Sequence, residues 1–433
     1  MFTLDNVVID GSNRVDHAIA ADASCGAVIK DSVVRNFLGW GMAQTAFVAS
    51  TVVRTRISGG TRGIFHQLSG LQLEDVTITG ASEAGLYVIG GSTSCSPCVL
   101  SANGVGLDQR GGVVSFAGGS AITDNTGAGI ALAGGTLAIG GSGPSGVEIA
   151  GNGAEGIIVG TSPSSVPYNA SSLTLAGANV HDNVGPGLRV QNPFGPSGSP
   201  GVVGVSGCTF TNNGGANLRV DDSGVRVGAD PISLRVNATT FIGSAHAVWL
   251  AGTTSSAVAL SGSTLRDATD TAMLIEHLSP AWHVRLTGNE LRHNAATTPR
   301  AGQLIGGFFA HSDAGWPADF VFEGNSLFSN TQHQMGLDVA GVTGPTSVSI
   351  SFGALGCAGP ANSFYCYANA PALSAAKGLV VSAGSNVTLS VDAGAANWQN
   401  GLSTAGLDDQ LISVGACAVT GSACGGFAPM CPN

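Results

Sequence analysis

The chain has 433 residues, of which 66 are glycine, 43% are hydrophobic and only 10% are charged. This amount of apolar material excludes a disordered Gly-rich chain and predicts a folded core. The formal net charge of −11 excludes a surface that neutralises a phosphate backbone, so nucleic acid is not an expected partner. No apolar run approaches the roughly 20 residues that a membrane-spanning helix requires, so no membrane span is expected.

A short phrase recurs along the chain and predicts its secondary structure. It consists of a small residue, an aliphatic residue, a variable residue and a second apolar or loosely matching residue. Copies include Gly63-Ile64-Phe65-His66, Gly85-Leu86-Tyr87-Val88, Gly187-Leu188-Arg189-Val190, Asn217-Leu218-Arg219-Val220, Ala247-Val248-Trp249-Leu250 and Gly336-Leu337-Asp338-Val339. This alternation predicts strands with one face in a core. Because successive copies lie too close together for a helical crossover, the sequence predicts a solenoid of stacked coils.

A second recurring feature is an asparagine three residues after an apolar residue, as in Leu100 with Asn103. The asparagines in this pattern are Asn36, Asn103, Asn125, Asn152, Asn183, Asn213, Asn294 and Asn330. Asparagine tolerates the left-handed conformation of a sharp corner, and stacked amides can hydrogen-bond from coil to coil. We therefore expect a structural ladder at these positions and not a ligand site.

These features resemble the right-handed parallel β-helix superfamily, the pectin-lyase-like repeat proteins, over about residues 1–404. Phrases such as SAITDNTGAGIAL, ANVHDNVGPGLRV and CTFTNNGGANLRV carry the resemblance. It implies an all-β, right-handed, single-stranded parallel β-helix with about a dozen or more coils. Residues 405–433 lose the repeat and carry three cysteines, so we expect them to form a C-terminal cap or tail.

The nine cysteines predict an oxidising compartment, and hence an extracellular or cell-surface location with disulfides. Cys95 lies within the segment from Gly91 to Pro97, which is predicted to be a loop, and Cys98 follows it directly. We expect these two cysteines to form a disulfide or to remain unreactive thiols. Cys25 and Cys208 are isolated in strand-like sequence, which predicts that both are buried.

The resemblance does not fix the function, because the superfamily includes lyases, hydrolases, epimerases, adhesins and phage tailspikes. Its polygalacturonases use paired aspartates with a Gly-His-Gly and an Arg-x-Lys motif. This chain offers Asp221-Asp222 without the other two motifs. Since Ser223-Gly224 follows, the simpler interpretation of this pair is an acidic turn.

The variable position of the phrase provides a second candidate site. Arg189 and Arg219 occupy it in successive copies, Trp249 follows, and Phe65 and Tyr87 occupy it upstream. Aromatic and guanidinium groups on a flat sheet can stack on sugar rings and pair with carboxylates, which predicts a glycan-binding track. The alternative is a solvated face with scattered aromatic residues.

Other motifs carry less weight. The nine histidines show no metal-ligand spacing, so no metal site is expected. Glu276, His277 and His293 are predicted to lie on the surface without a functional role. Gly141-x-Gly143-x-x-Gly146 matches a dinucleotide-binding pattern by letter, but no helical pattern follows it.

The leading hypothesis is a non-catalytic β-helix that binds a polysaccharide or cell-surface glycan or builds a surface structure, with no cofactor. The rival is a polysaccharide lyase or glycoside hydrolase that acts on an acidic polysaccharide through Arg189, Arg219 and Asp221 or Asp222. A lyase of this kind could use Ca²⁺ to neutralise the substrate carboxylate. Convergence of Asp, Arg and His would favour the enzyme, and a smooth face of Ala, Ser and Thr would favour the scaffold. A third hypothesis, an adhesin or filament subunit, requires self-association through exposed ends.

Overall fold

The computed structural model of the protein divides into two compact units. Unit 1 comprises Met1–Gly214 with Gly228–Asp230, and unit 2 comprises Gly215–Val227 with Pro231–Asn433. The residues that the structure describes are 1–140, 146–160, 171–191, 202–222, 232–252, 256–278, 280–300, 302–313, 316–317, 319–330, 333–340, 346–351, 362–365, 378–400, 403–404 and 411–423.

Short strands account for the regular structure of both units. Those of unit 1 are β1 (Phe2–Asp5), β2 (Val8–Asp10), β3 (His17–Ala21), β4 (Ala27–Lys30), β5 (Val33–Arg35), β6 (Trp40–Gln44), β7 (Ser50–Ser58), β8 (Arg62–His66), β9 (Gly70–Thr79), β10 (Ala84–Val88), β11 (Ser92–Cys95), β12 (Cys98–Ser101), β13 (Val105–Gln109), β14 (Val113–Phe116), β15 (Ala121–Thr123), β16 (Ile130–Leu132), β17 (Gly135–Gly140), β18 (Glu148–Ala150), β19 (Ile157–Val159), β20 (Ser171–Ala176), β21 (Asn179–His181), β22 (Leu188–Gln191), β23 (Val202–Ser206) and β24 (Thr209–Thr211).

The strands of unit 2 follow in the same manner. They are β25 (Ala216–Asp222), β26 (Ile232–Asn237), β27 (Thr240–Ile242), β28 (His246–Gly252), β29 (Ser256–Ser261), β30 (Thr264–Arg266), β31 (Met273–Leu278), β32 (His283–Thr287), β33 (Glu290–Arg292), β34 (Ile305–Ser312), β35 (Asp319–Glu323), β36 (Ser326–Phe328), β37 (His333–Val339), β38 (Thr346–Ser351), β39 (Asn362–Tyr365), β40 (Leu379–Ala383), β41 (Val387–Asn400), β42 (Ser403–Thr404), β43 (Leu411–Val414) and β44 (Ala416–Ala423).

Within each unit, a coil contributes three strands, and equivalent strands of neighbouring coils pair in parallel to form three columns. In unit 1, for example, β17 pairs with β20 in the first column, β18 with β21 in the second, and β19 with β22 in the third. In unit 2 the corresponding pairs include β29 with β32, β30 with β33, and β28 with β31. The predicted all-β, parallel coil architecture is confirmed.

The third column contains the recurring phrase, and its aliphatic positions form the core. Leu86, Leu107, Ile130, Ile157 and Leu188 are paired or equivalent in successive strands of unit 1, and each is 0% exposed. Side chains alternate between the two faces of a strand, so the variable position of the phrase points outward. This alternation places the candidate site residues on the outer side of the third column.

The phrase requires a small residue because the backbone of the next coil lies close to this position. A Cβ added at Gly129 would lie 2.7 Å from the carbonyl oxygen of Gly156 and 2.8 Å from the Asn152 Nδ2. Gly156 is confined in the same way by Gly187 and Asn183. A methyl group does not fit between backbones at this distance, which explains glycine at these positions.

The asparagine ladder forms as predicted in both units. In unit 1 the Nδ2 of Asn125 donates to the Oδ1 of Asn152 at 2.9 Å, and Asn152 donates to Asn183 at 2.8 Å. In unit 2 Asn294 donates to Asn330 at 2.8 Å. Each bond of this kind contributes about 1 kcal/mol and satisfies a buried amide.

Two details of the asparagine prediction are wrong. The left-handed residue is the one before the buried asparagine, such as Asp124 (φ 56) before Asn125, because the asparagine side chain has to turn into the interior. Asn36 is outside the ladder. It is itself left-handed and exposed, and it donates to Asp10.

The cysteines also differ in part from expectation. Of the described cysteines, Cys25, Cys95, Cys98 and Cys208 are free thiols. The predicted loop around Cys95 and Cys98 is largely strand, because β11 and β12 direct both side chains into the core. Cys208 is buried as predicted, whereas Cys25 is exposed because it lies in a turn before β4.

The C-terminal segment adds further parallel strands in its described part. Strand β43 pairs with β40, and β44 pairs with β41. The rest of residues 405–433, including Cys424 and Cys431, lies outside the described residues. The boundary at residue 404 stays a prediction.

Candidate functional site

The outer side of the third column in unit 1 carries a stack of aromatic rings. The Trp40 ring lies 4.4 Å from the rings of His17 and Phe65, and Phe65 lies 5.7 Å from Tyr87. The Arg62 guanidinium lies 4.1 Å from the Tyr87 ring centroid. Because each ring faces its neighbour, the faces of Trp40 and Phe65 are covered by protein. We call these four rings the aromatic ladder.

The structure thus brings the predicted residues Phe65 and Tyr87 together and adds two that the sequence interpretation missed. His17 and Trp40 each lie one position before the small residue of the phrase. His17 pairs in register with Trp40, and Trp40 pairs with Arg62 and not with Phe65. Aromatic residues at this preceding position were the signal that could have identified them.

The predicted arginines are both held by carboxylates. In unit 1 the Nη1 of Arg189 lies 2.9 Å from the Oε1 of Glu155. In unit 2 the Nε of Arg219 lies 2.7 Å from the Oδ1 of Asp221, and its guanidinium lies 4.0 Å from the Trp249 ring centroid. Arg189 belongs to unit 1 and Arg219 to unit 2, and the glycan-binding track that would include both stays a prediction.

In unit 2, Trp249 is partly buried among polar and apolar groups. Its Nε1 donates to the Oε2 of Glu276 at 2.9 Å, and the His246 ring meets it edge-on at 5.6 Å. It also packs against a buried cluster that includes Leu274 and Phe309. These contacts fix the orientation of the indole on the outer side of the third column.

The segment between β33 and β34 brings a second arginine to this surface. The Arg300 side chain is only 12% exposed, and its Nη1 lies 3.3 Å from the Oε1 of Glu276. Its Nη2 lies 3.3 Å from the Oδ2 of Asp270, and its Nε donates to the Thr271 Oγ1 at 3.2 Å. Arg300 therefore ties the inserted segment to strand β31.

Two histidines and two aspartates extend the same surface. The Nδ1 of His311 lies 2.8 Å from the Oδ2 of Asp338, and its Nε2 lies 2.7 Å from the Oδ1 of Asp313. Asp313 also contacts the Nδ1 of His277. The hydrogen bond to Asp338 raises the pKa of His311 above its ordinary value. Although desolvation opposes it, hydrogen bonds from His277 and His311 hold the pKa of Asp313 below its ordinary value.

Strand register aligns these polar groups across successive coils. Asp221 pairs with Ala251, which pairs with Glu276, and His311 pairs with Asp338. Ile275 of β31 pairs with Ala310 of β34, and Glu276 and His311 are the next residues on these two strands. The register between β31 and β34 shifts after this pair. We call the surface formed by Asp221, Trp249, Glu276, His311 and Asp338 the polar face of unit 2.

Comparison with known protein families settles the class of fold. Residues 62–265 match the family model described as the right-handed β-helix region. This match and the parallel strand columns identify the fold as a right-handed parallel β-helix. A search of the curated proteins and a search of the solved structures found no match. The recognition of a right-handed parallel β-helix from the repeats is confirmed.

The β-helix places the paired aspartates differently from the simplest interpretation of the sequence. Asp221 and Asp222 both belong to strand β25 and not to a turn, because the strand continues to Asp222. The Asp222 side chain lies outside the described residues. Asp221 alone of this pair can be assigned to the polar face.

The sequence interpretation missed Arg300, His311 and Asp338 and treated Glu276 only as surface. Glu276 and His277 do not meet His293, which packs edge-on against Phe328. Asp338 occupies the variable position of a copy of the phrase. A prediction that it pairs with His311 would have required a copy of the phrase to be recognised in β34 as well. Arg300 lies outside the repeat and gave no signal.

Two further findings bear on the expected partners. Among the residues that the structure describes, no three His, Cys, Asp or Glu side chains are arranged to hold a metal ion. The described part of the chain also contains no helix of the length and apolarity needed to cross a membrane.

Proposed function

We propose that this β-helix acts outside the cell or at its surface as a non-catalytic scaffold that binds a neutral glycan on the polar face of unit 2. The observation that supports this most directly is the alignment of Asp221, Glu276, His311 and Asp338 beside a partly exposed indole, Trp249. Binding sites combine an aromatic surface with a few fixed polar groups that orient the ligand.

The charges of the polar face favour a neutral glycan over an acidic one. Arg219 is neutralised by Asp221, and Arg300 lies between Asp270 and Glu276. Asp313 and Asp338 add further negative charge, opposed by the His311 imidazole. Carboxylates accept hydrogen bonds from sugar hydroxyls, whereas they repel uronates.

A specific observation favours a second function, cleavage of a glycosidic bond. Glu276 and Asp338 lie on strands β31 and β37, with His311 on the strand between them. Two strand spacings correspond to about 10 Å between backbones, near the separation of the two carboxylates of inverting glycosidases. The convergence of acidic, arginine and histidine side chains on this surface also favours an enzyme. We propose the scaffold as the first function because every one of these carboxylates already has an arginine, indole or histidine partner.

Affinity electrophoresis through gels that contain neutral polysaccharides tests the proposal. We expect retardation of the wild-type protein on at least one polymer, and a loss of affinity of at least about tenfold in Trp249→Ala, since central aromatic residues dominate binding. Phe47→Ala, which removes an exposed aromatic residue of unit 1, is the matched control.

Retardation that is equal in wild type and Trp249→Ala would contradict the proposed site. Thermal unfolding of both variants establishes that they are folded. Formation of new reducing ends, lost in Glu276→Gln or Asp338→Asn, would favour the second function over the scaffold.

A further inference from the structure

A pocket of about 350 Å³ lies in the first column of unit 2, whereas the polar face belongs to the third column. It is bounded by the segment before β35 and by strands β35, β38 and β41. Its lining includes Trp316, Phe320, Ser349, Ile350, Ser390 and Asp392. None of these residues belongs to the polar face or to the sites that the sequence predicted.

The pocket lies at a break in the first column. Strand β35 pairs with β32, and β38 pairs with β41. Among the strands that the structure describes, no pairing joins β35 to β38. Trp316, from the segment before β35, packs its ring against that of Phe320 at 5.1 Å. The pocket therefore has an aromatic pair on the side of β35 and two paired strands, β38 and β41, on the other.

The aromatic side of the pocket contains an unused hydrogen-bond donor. Trp316 and Phe320 are each only 7% exposed, and their rings are inclined at 65° to each other. Within the described part of the chain, the Nε1 of Trp316 is buried without a hydrogen-bond partner. A buried donor without a partner costs about 1–3 kcal/mol, and an acceptor on a bound molecule would remove this cost.

Strands β38 and β41 make the other side of the pocket polar and acidic. Ser349 pairs with Ser390, and Ser351 pairs with Asp392. Ser390 and Asp392 are both exposed, and they lie two residues apart on the same face of β41. The Asp392 carboxylate supplies the charge of the lining. It attracts a cation and repels an anion.

We propose that this pocket binds a small organic ammonium ion, with the cation between the aromatic pair and Asp392. Aromatic rings attract quaternary ammonium ions that lie within about 6 Å of the ring centroid. The ligand also carries a hydrogen-bond acceptor, which suits the Nε1 of Trp316. The volume of about 350 Å³ is at the small end of small-molecule sites, which span about 300–1,000 Å³.

This proposal does not rest on the neutral-glycan site, because the two sites share no residue and take different classes of ligand. Calorimetric titration of the full chain with choline tests it. Choline combines a quaternary ammonium with a hydroxyl that can accept a hydrogen bond. Its neutral analogue dimethylbutanol, in which carbon replaces the nitrogen, is the ligand control. We expect choline to bind at least about tenfold more tightly than the analogue, and less tightly as salt increases.

The decisive variant is Asp392→Asn, which removes the charge of the pocket and keeps the size of the side chain. We expect it to lose at least about fivefold in affinity for choline and to leave binding of dimethylbutanol unchanged. The matched control is Asp5→Asn, which changes the net charge equally at an exposed position of β1 in unit 1, and it should bind like wild type. Trp316→Phe keeps an aromatic ring and removes the N–H group, so it should also weaken choline binding.

Three results would overturn the proposal. They are an absence of choline binding up to tens of millimolar, equal affinity for choline and dimethylbutanol, and choline binding that is unchanged in Asp392→Asn or equally weakened in Asp5→Asn. Thermal unfolding establishes that each variant is folded. Retention of choline binding in Trp249→Ala, together with retention of neutral-glycan binding in Asp392→Asn, would show that the two sites are separate.

Discussion

At the scale of single residues, the chain uses polar side chains mostly to hold itself together. Asn152 bridges two coils through its amide, and Arg189 and Arg219 are neutralised by carboxylates. The sequence allowed the asparagines to be predicted because their spacing repeats. It could not reveal the partners of the arginines, since Glu155 lies 34 residues from Arg189.

A buried histidine provides a residue-scale prediction. His66 accepts a hydrogen bond from the Thr93 hydroxyl at Nδ1 and donates from Nε2 to the Leu68 carbonyl, at 2.7 Å each. Burial lowers the pKa of His66 below the ordinary value of 6.5. As the pH falls through 6.5, the unfolded chain therefore takes up a proton that the folded chain resists, and the free energy of unfolding decreases.

We expect His66→Asn to reduce this loss of stability below pH 6.5, by up to about 1.4 kcal/mol per pH unit. Urea unfolding at several pH values measures the slope, which is independent of any constant destabilisation by the substitution. Phe47→Asn, at an exposed position without a titratable group, is the control and should keep the wild-type slope. An unchanged slope in His66→Asn would contradict a neutral, buried imidazole.

At the scale of strands, the repeat could be predicted well and the register could not. The phrase places Asp338 in the position of Trp249, yet Gly336 is the residue that aligns with the Trp249 column, through Phe309 and Leu274. Asp338 lies two residues after Gly336 on the same face of β37, and it pairs with His311. A shift of two residues preserves the alternation of faces, so hydrophobic pattern alone does not detect it.

Glycine in the phrase provides an element-scale prediction. Gly129→Ala places a methyl group against the backbone of the next coil and against Asn152, so we expect a loss of about 1–3 kcal/mol in the free energy of unfolding. Gly204→Ala is the matched control, because a Cβ there has only a 3.9 Å contact with the Leu173 carbonyl oxygen. Urea unfolding compares the two variants, and equal stability would contradict close packing of the coils at Gly129.

At the scale of the whole molecule, the fold could be recognised from sequence because all of the repeated sequence features indicate the same fold. Alternation, small residues and corner asparagines all indicate parallel coils, and the family match lies within this repeat region. The polar face could not be recognised because it depends on register across β25 to β37 and on Arg300 from outside the repeat. Asp221 and Trp249 of this face were candidates from the sequence, whereas Glu276, His311 and Asp338 were not.

Hydroxyl-radical footprinting tests the central claim, that the polar face of unit 2 binds a neutral glycan, most directly. Trp249 and Trp40 are both partly exposed, and they lie on the polar face and in the aromatic ladder respectively. A glycan that retards the protein is predicted to slow oxidation of Trp249 and to leave Trp40 unchanged. Unchanged oxidation of Trp249 at a saturating concentration of that glycan would contradict the account.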